Sequence, residues 1–122
     1  METTVKMGNK TYRMRASALI PRLYRAKFGR DMITDMRGLQ KNYLAAADPD
    51  ESKERTELSV MDLTIFEDVA WLMLKHAGED VGDSPEEWLD SLDGVFSIYE
   101  ILPSVLKLWN SNQKTTSTPK KK

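Results

Sequence analysis

The chain contains no cysteine and a single histidine, His76, among its 122 residues. Without thiols there is no disulfide framework, thiol nucleophile, iron–sulfur cluster or zinc knuckle, and one imidazole excludes a His-rich metal site. Glycine and proline are sparse, at six and five residues, which removes collagen-like and low-complexity classes. The glycines are scattered and form neither GxGxxG nor GxxxxGK[ST], so no phosphate-cradling loop is encoded. The longest apolar run ends at Leu74 and falls far short of the roughly 18 residues that a membrane span needs. The N-terminus, Met1-Glu2-Thr3-Thr4, has neither the basic nor the apolar region of a signal peptide, so a cytoplasmic location is expected. What remains is 40% hydrophobic and 30% charged, the balance of a soluble globular protein with one core.

The net charge of -1 conceals a segregation along the chain. Residues 1–44 carry +7, residues 45–100 carry -13, and residues 101–122 carry +5. Such asymmetry serves nucleic acid, a charged partner, contacts between neighbouring copies, or simply a solvated surface.

The pattern predicts an α+β chain, mainly helical, with about four to five helices behind an N-terminal β-hairpin. Two alternating stretches flank Gly8-Asn9, a hairpin signal, and Val5, Met7, Tyr12 and Met14 then need helices to lie against. Pro21 places a helix start near Ile20 and Gly29 a stop after Phe28. From Asp31, Met32, Ile33, Met36, Leu39, Tyr43 and Leu44 recur at helical spacing to about Ala46. Residues 48–57 hold no apolar side chain and read as a mobile acidic loop. Lys53 and Ser59 occupy positions where a calcium loop needs glycine and a bidentate acid, so calcium is rejected.

Ser59 with Asp62 forms a variant capping box ahead of a long apolar helix, Val60 to Ala77. Thr64, Glu67, Asp68 and Lys75 share one narrow polar arc, and the rest of the helix is apolar. An apolar arc that wide belongs to the central helix of a bundle or to one that also meets a partner. Ser84-Pro85-Glu86-Glu87 launches a short helix toward Gly94, and the last element, Val95 to Trp109, is kinked or divided by Pro103. Residues 1–110 then form the folded domain. Residues 111–122, polar and ending in Pro119-Lys120-Lys121-Lys122, read as a disordered basic tail.

No constellation for catalysis, cofactor or metal emerges. His76 has no spaced nucleophile or ligand partner, and the acids of 79–93 are explained by helix N-termini, which favour negative charge. Arg13, Arg15, Arg22, Arg25, Lys27, Arg30, Arg37 and Lys41 raise the question of nucleic acid. Against it stand the acidic pI of about 5.9 and the lack of a helix-turn-helix recognition pair, so no nucleic-acid partner is expected. Trp71 falls in the polar arc between Glu67 and Lys75. Either it anchors a partner, with Glu67 and Lys75 beside it, or another element of the same chain covers it. Leu106 and Trp109, on the wide apolar arc of the last helix, complete the candidate partner-binding set, although Trp109, like Trp88, also suits a core position.

Two stretches carry a resemblance: Leu23-Tyr24-Arg25-Ala26-Lys27-Phe28-Gly29-Arg30-Asp31-Met32, and Ile98-Tyr99-Glu100-Ile101-Leu102-Pro103 continuing through Leu108-Trp109-Asn110 to the Lys-rich end. Together with the order of elements, they resemble the tail-assembly chaperones of long-tailed phages and prophages of Gram-positive bacteria. The resemblance implies a non-enzymatic protein that coats the tape-measure protein, keeps it soluble and is absent from the mature virion, and the segregated charge suits a self-oligomer with copies oriented along that client. It also implies a longer frameshifted form that recruits tail tube subunits. The reading from residues alone is a cytoplasmic helical adaptor or nucleic-acid-binding regulator, and it stands as the alternative.

Overall fold

The computed structural model describes residues 1–46, 59–94 and 97–117. Strands β1 (Glu2–Met7) and β2 (Lys10–Arg15) pair antiparallel, with Val5 opposite Tyr12 and Met7 opposite Lys10. Gly8 turns the chain at a φ of +62°, a left-handed conformation that glycine adopts without steric cost. Val5, Met7 and Met14 point inward and are buried, whereas Thr4, Lys6, Thr11, Arg13 and Arg15 face outward.

Helix α1 (Ile20–Phe28) has Pro21 in its first turn and ends on Gly29, whose φ of +73° lets its N–H reach the Arg25 carbonyl at 2.9 Å. Helix α2 (Met32–Ala46) starts on Asp31, whose carboxylate accepts from the Ile33 N–H and the Thr34 hydroxyl. Helix α3 (Val60–His76) opens with the full capping box, Ser59 accepting from the Asp62 N–H and Asp62 from the Ser59 N–H. Helix α4 (Pro85–Asp90) is capped by Ser84, and it is shorter than the sequence suggests, ending before Leu92. The last apolar stretch is divided: a 3-10 segment, Ser97–Ile101, gives way to α5 (Leu102–Ser117) with Pro103 in its first turn. Proline has no N–H to lose there, so the division falls where it costs least.

The chain is therefore α+β and mainly helical, as its periodicity indicates. Helix α5 continues to Ser117, beyond the last apolar residue Trp109. The acidic loop 48–57, Phe96 and the terminal lysines lie outside the described residues.

Helix α3 is the axis of the core. Its ten buried residues extend around most of its circumference, and β2, α1, α2, α4 and α5 all pack against it. Of the two readings open for its wide apolar arc, the central helix of a bundle is the one realised.

Candidate functional site

Two groups of residues concentrate the chemistry of this surface: a polar clamp inside the fold and a groove on its outside. The clamp is built by the Tyr24-to-Asp31 stretch. Arg30 donates to Asp68 at 2.7 Å, to Asp35 at 3.0 Å and to the Tyr24 hydroxyl at 2.9 Å, and Tyr24 itself donates to Asp35 at 2.8 Å. The guanidinium also lies over the Tyr24 and Phe28 rings, 5.3 and 5.7 Å from their centroids. One arginine thus joins α1, α2 and α3. Burial pushes the Asp68 carboxyl up against the opposing pull of Arg30, and burial likewise pushes the Tyr24 hydroxyl up. Among the described residues these bonds run between the clamp's own members and tie the three helices together.

Of the two readings open for Trp71, the structure has the one in which another element of the same chain covers it. It is 3% exposed, its Nε1–H donates to the Val81 carbonyl at 3.2 Å, and Phe28 meets its ring edge-on at a centroid distance of 6.1 Å. Lys27 and Lys75 lie over the indole at 5.3 and 5.7 Å and then reach the Asp83 and Gly82 carbonyls, respectively. Glu67, one turn away from Trp71, accepts from the Tyr99 hydroxyl at 3.1 Å. The polar arc of α3 is covered by its own chain, by residues 78–84 folding back and by the 3-10 segment. A helical projection cannot see a reversal that depends on Gly78 and Gly82, both at positive φ.

Leu106 and Trp109 are buried as well, at 6% and 4% exposure. They form the floor of two adjoining depressions between α2 and α5, of about 300 and 410 Å³. Ile33, Leu44 and Pro103 stand exposed on the walls, and Gln40 crosses to Asn110 with a 3.1 Å hydrogen bond. Arg37, Lys41 and Lys107 are exposed around them and form no ion pair among the described residues. In the sequence Arg37 and Lys41 stand out only among the basic residues of the N-terminal segment, and Ile33, Gln40 and Leu44 do not stand out as a site. Their signal is there nonetheless: they recur at helical spacing one step away from the buried row Met32, Met36 and Leu39, as a mixed apolar and cationic line.

Ser17 Oγ lies 3.0 Å from His76 Nε2, a nucleophile type beside a base type. The hydroxyl also accepts from the Leu19 N–H, which fixes the turn into α1. Burial, Arg15 and the terminal ammonium hold the imidazole below its ordinary 6.5, and the two positive charges oppose the imidazolium that a triad carboxylate would stabilise. Among the described residues no group of acids or His76 is placed to hold a metal ion, and no helix is long and apolar enough to cross a membrane.

Glu67 supports a direct test. Burial raises its carboxyl above the usual 4.5, with Asp68 and Glu86 adding to the rise, so ionisation opposes folding. Stability from this group is fully present below about pH 4 and is lost as pH rises through its folded value. Glu67→Gln keeps an acceptor for Tyr99 and removes the charge. Thermal melts should show the variant above wild type at pH 7, with the gap closing toward pH 4; a gap constant with pH would remove this account.

Comparison with known proteins returns no matching family model, no matching curated protein and no matching solved structure.

Proposed function

We propose that the protein is a non-enzymatic tail-assembly chaperone of a long-tailed phage or prophage, which binds the tape-measure protein and keeps it soluble while the tail is built. In this reading it works in the host cytoplasm and is left out of the finished virion, and a longer frameshifted form recruits tail tube subunits. The supporting observation is the groove between α2 and α5. Ile33 and Leu44 expose 46% and 62% of their surface beside the nearly buried Leu106 and Trp109, with three cations around them that form no ion pair among the described residues. An amphipathic client helix would set its apolar ridge into this floor and its acidic flanks against Arg37, Lys41 and Lys107. Trp71, Glu67 and Lys75 have no part in it, since they are spent on internal packing.

The test is co-expression of the tape-measure protein with wild type and with the double variant Ile33→Asp, Leu44→Asp, scoring soluble client. Both side chains are exposed, so folding stability should change by only about 0.5 kcal/mol at each site. Soluble client should fall several-fold. Full solubilising activity in a variant that still folds would exclude the groove, and retention on DNA with a steep salt dependence would favour the nucleic-acid-binding regulator instead.

A further inference from the structure

The two edges of the hairpin are treated differently. Met1 and Ala16 exchange two backbone hydrogen bonds, at 2.9 and 3.0 Å. In an antiparallel ladder bonded pairs alternate, so Thr3–Met14, Val5–Tyr12 and Met7–Lys10 are the next bonded pairs, and the N–H groups of Glu2, Thr4 and Lys6 point away from β2. The same alternation turns the Arg13 N–H outward on the opposite edge. There it is covered, donating to the Glu79 carboxylate at 2.7 Å. On the β1 edge the outward N–H groups of Glu2, Thr4 and Lys6 have no hydrogen-bond partner among the described residues, and all three residues are exposed. An open edge is a template for another strand.

The side chains along that edge show which strand fits. Glu2, Thr4 and Lys6 share the outer face, with opposite charges placed symmetrically about Thr4. Lysine alone on an edge repels a second copy, a common protection against pairing. Here, reversing the strand about Thr4 brings Glu2 opposite Lys6 and Lys6 opposite Glu2, so the copy attracts itself. The register that pairs the charges is also the one that pairs the amides. A two-fold axis at Thr4 makes Thr4–Thr4, Glu2–Lys6 and Lys6–Glu2 the bonded pairs, satisfying the outward N–H groups of all three residues in both copies. It also sets Glu2 between Arg15 of its own hairpin and the second copy's Lys6.

We propose that β1 is a homodimer interface, in which two copies pair antiparallel about Thr4 and merge their hairpins into a four-stranded sheet. The contact is isologous and closes at two copies. It lies on a different element from the α2–α5 groove.

The experiment is sedimentation of the full chain, with no tag at the N-terminus, across a concentration series, together with amide exchange at Glu2, Thr4 and Lys6. Wild type should pass from monomer to dimer, and those three amides should exchange more slowly as the dimer forms. Thr4→Pro removes an edge donor that the hairpin ladder does not use, so it should remain folded and become monomeric. Lys6→Glu opposes like charges at both ends of the contact and should raise the dimer Kd by roughly tenfold. Adding Glu2→Lys to it restores opposite charges across the contact in the reversed sense and should recover part of that loss, since the new lysine also faces Arg15 of its own hairpin. A wild-type monomer at every concentration overturns the proposal, as does a folded Thr4→Pro that dimerises like wild type. If Thr4→Pro fails to fold, the charge swap decides: failure of the double variant to recover any of what Lys6→Glu loses rejects this register.

Discussion

Replacing Arg30 with alanine is expected to lower the unfolding free energy by about 3 kcal/mol, the low end of the range for breaking a buried ion pair. The low end applies because the Arg30 side chain is 30% exposed, whereas its partners Asp35 and Asp68 are 17% and 11% exposed. The loss comes mainly from what is left behind. Asp68 would keep its burial and lose the charge that compensates it, and Tyr24 would keep only Asp35. Lysine should recover part of the loss, since one ammonium supplies charge without the planar fork that reaches Asp35, Asp68 and Tyr24 together. Removing both partners with apolar replacements, Arg30→Met with Asp68→Leu, should be much milder than Arg30→Ala alone. Urea unfolding at constant m checks the series. A loss below about 1 kcal/mol for Arg30→Ala would reduce the clamp to an ordinary surface pair.

Trp71→Ala is expected to cost about 3–5 kcal/mol, as other large-to-small aromatic truncations in cores do. Besides the cavity, it frees the Val81 carbonyl and takes away the ring beneath Lys27 and Lys75. Amide exchange should therefore quicken at residues 78–84 well before global unfolding. A partner anchor would behave in the opposite way, with an intact melt and lost client binding, so the two roles separate in one variant.

The elements are legible in the sequence where a local rule decides them. Ser59 with Asp62, Gly29 after Phe28, Pro21, Gly8 and Pro103 each mark a boundary through a single hydrogen bond or dihedral, and each lies where the chain starts, stops or turns. The site is less legible, because burial is a property of pairs of elements. Trp71 and Asp68 sit on what a helical projection counts as a solvated arc. The first is covered by a loop ten residues further on, and the second by an arginine from the link between α1 and α2, 38 residues earlier. Ile33 and Leu44 read as ordinary members of an apolar face, and only the position of α5 leaves them outside it. The Tyr24-to-Asp31 stretch is the opposite case. Tyr24, Phe28, Gly29, Arg30 and Asp31 supply, in order, a hydroxyl, a ring, a left-handed cap, a guanidinium and a helix start, so its conspicuousness as a motif reflects a corner in which five positions each have a separate task.

That corner also has a place in time. Three of its four hydrogen bonds span only 5, 6 and 11 residues, whereas the bond from Arg30 to Asp68 spans 38. Closing the longest loop costs about 1 kcal/mol more in chain entropy than closing the 11-residue one. The α1–α2 elbow is thus assembled from neighbours, while α3 must be recruited from a distance. On a ribosome, Tyr24, Arg30 and Asp35 emerge together, long before residue 68 is synthesised. Asp68 is the last of the four to arrive, and with it the helix that becomes the axis of the core meets a guanidinium whose other bonds join neighbours in the chain.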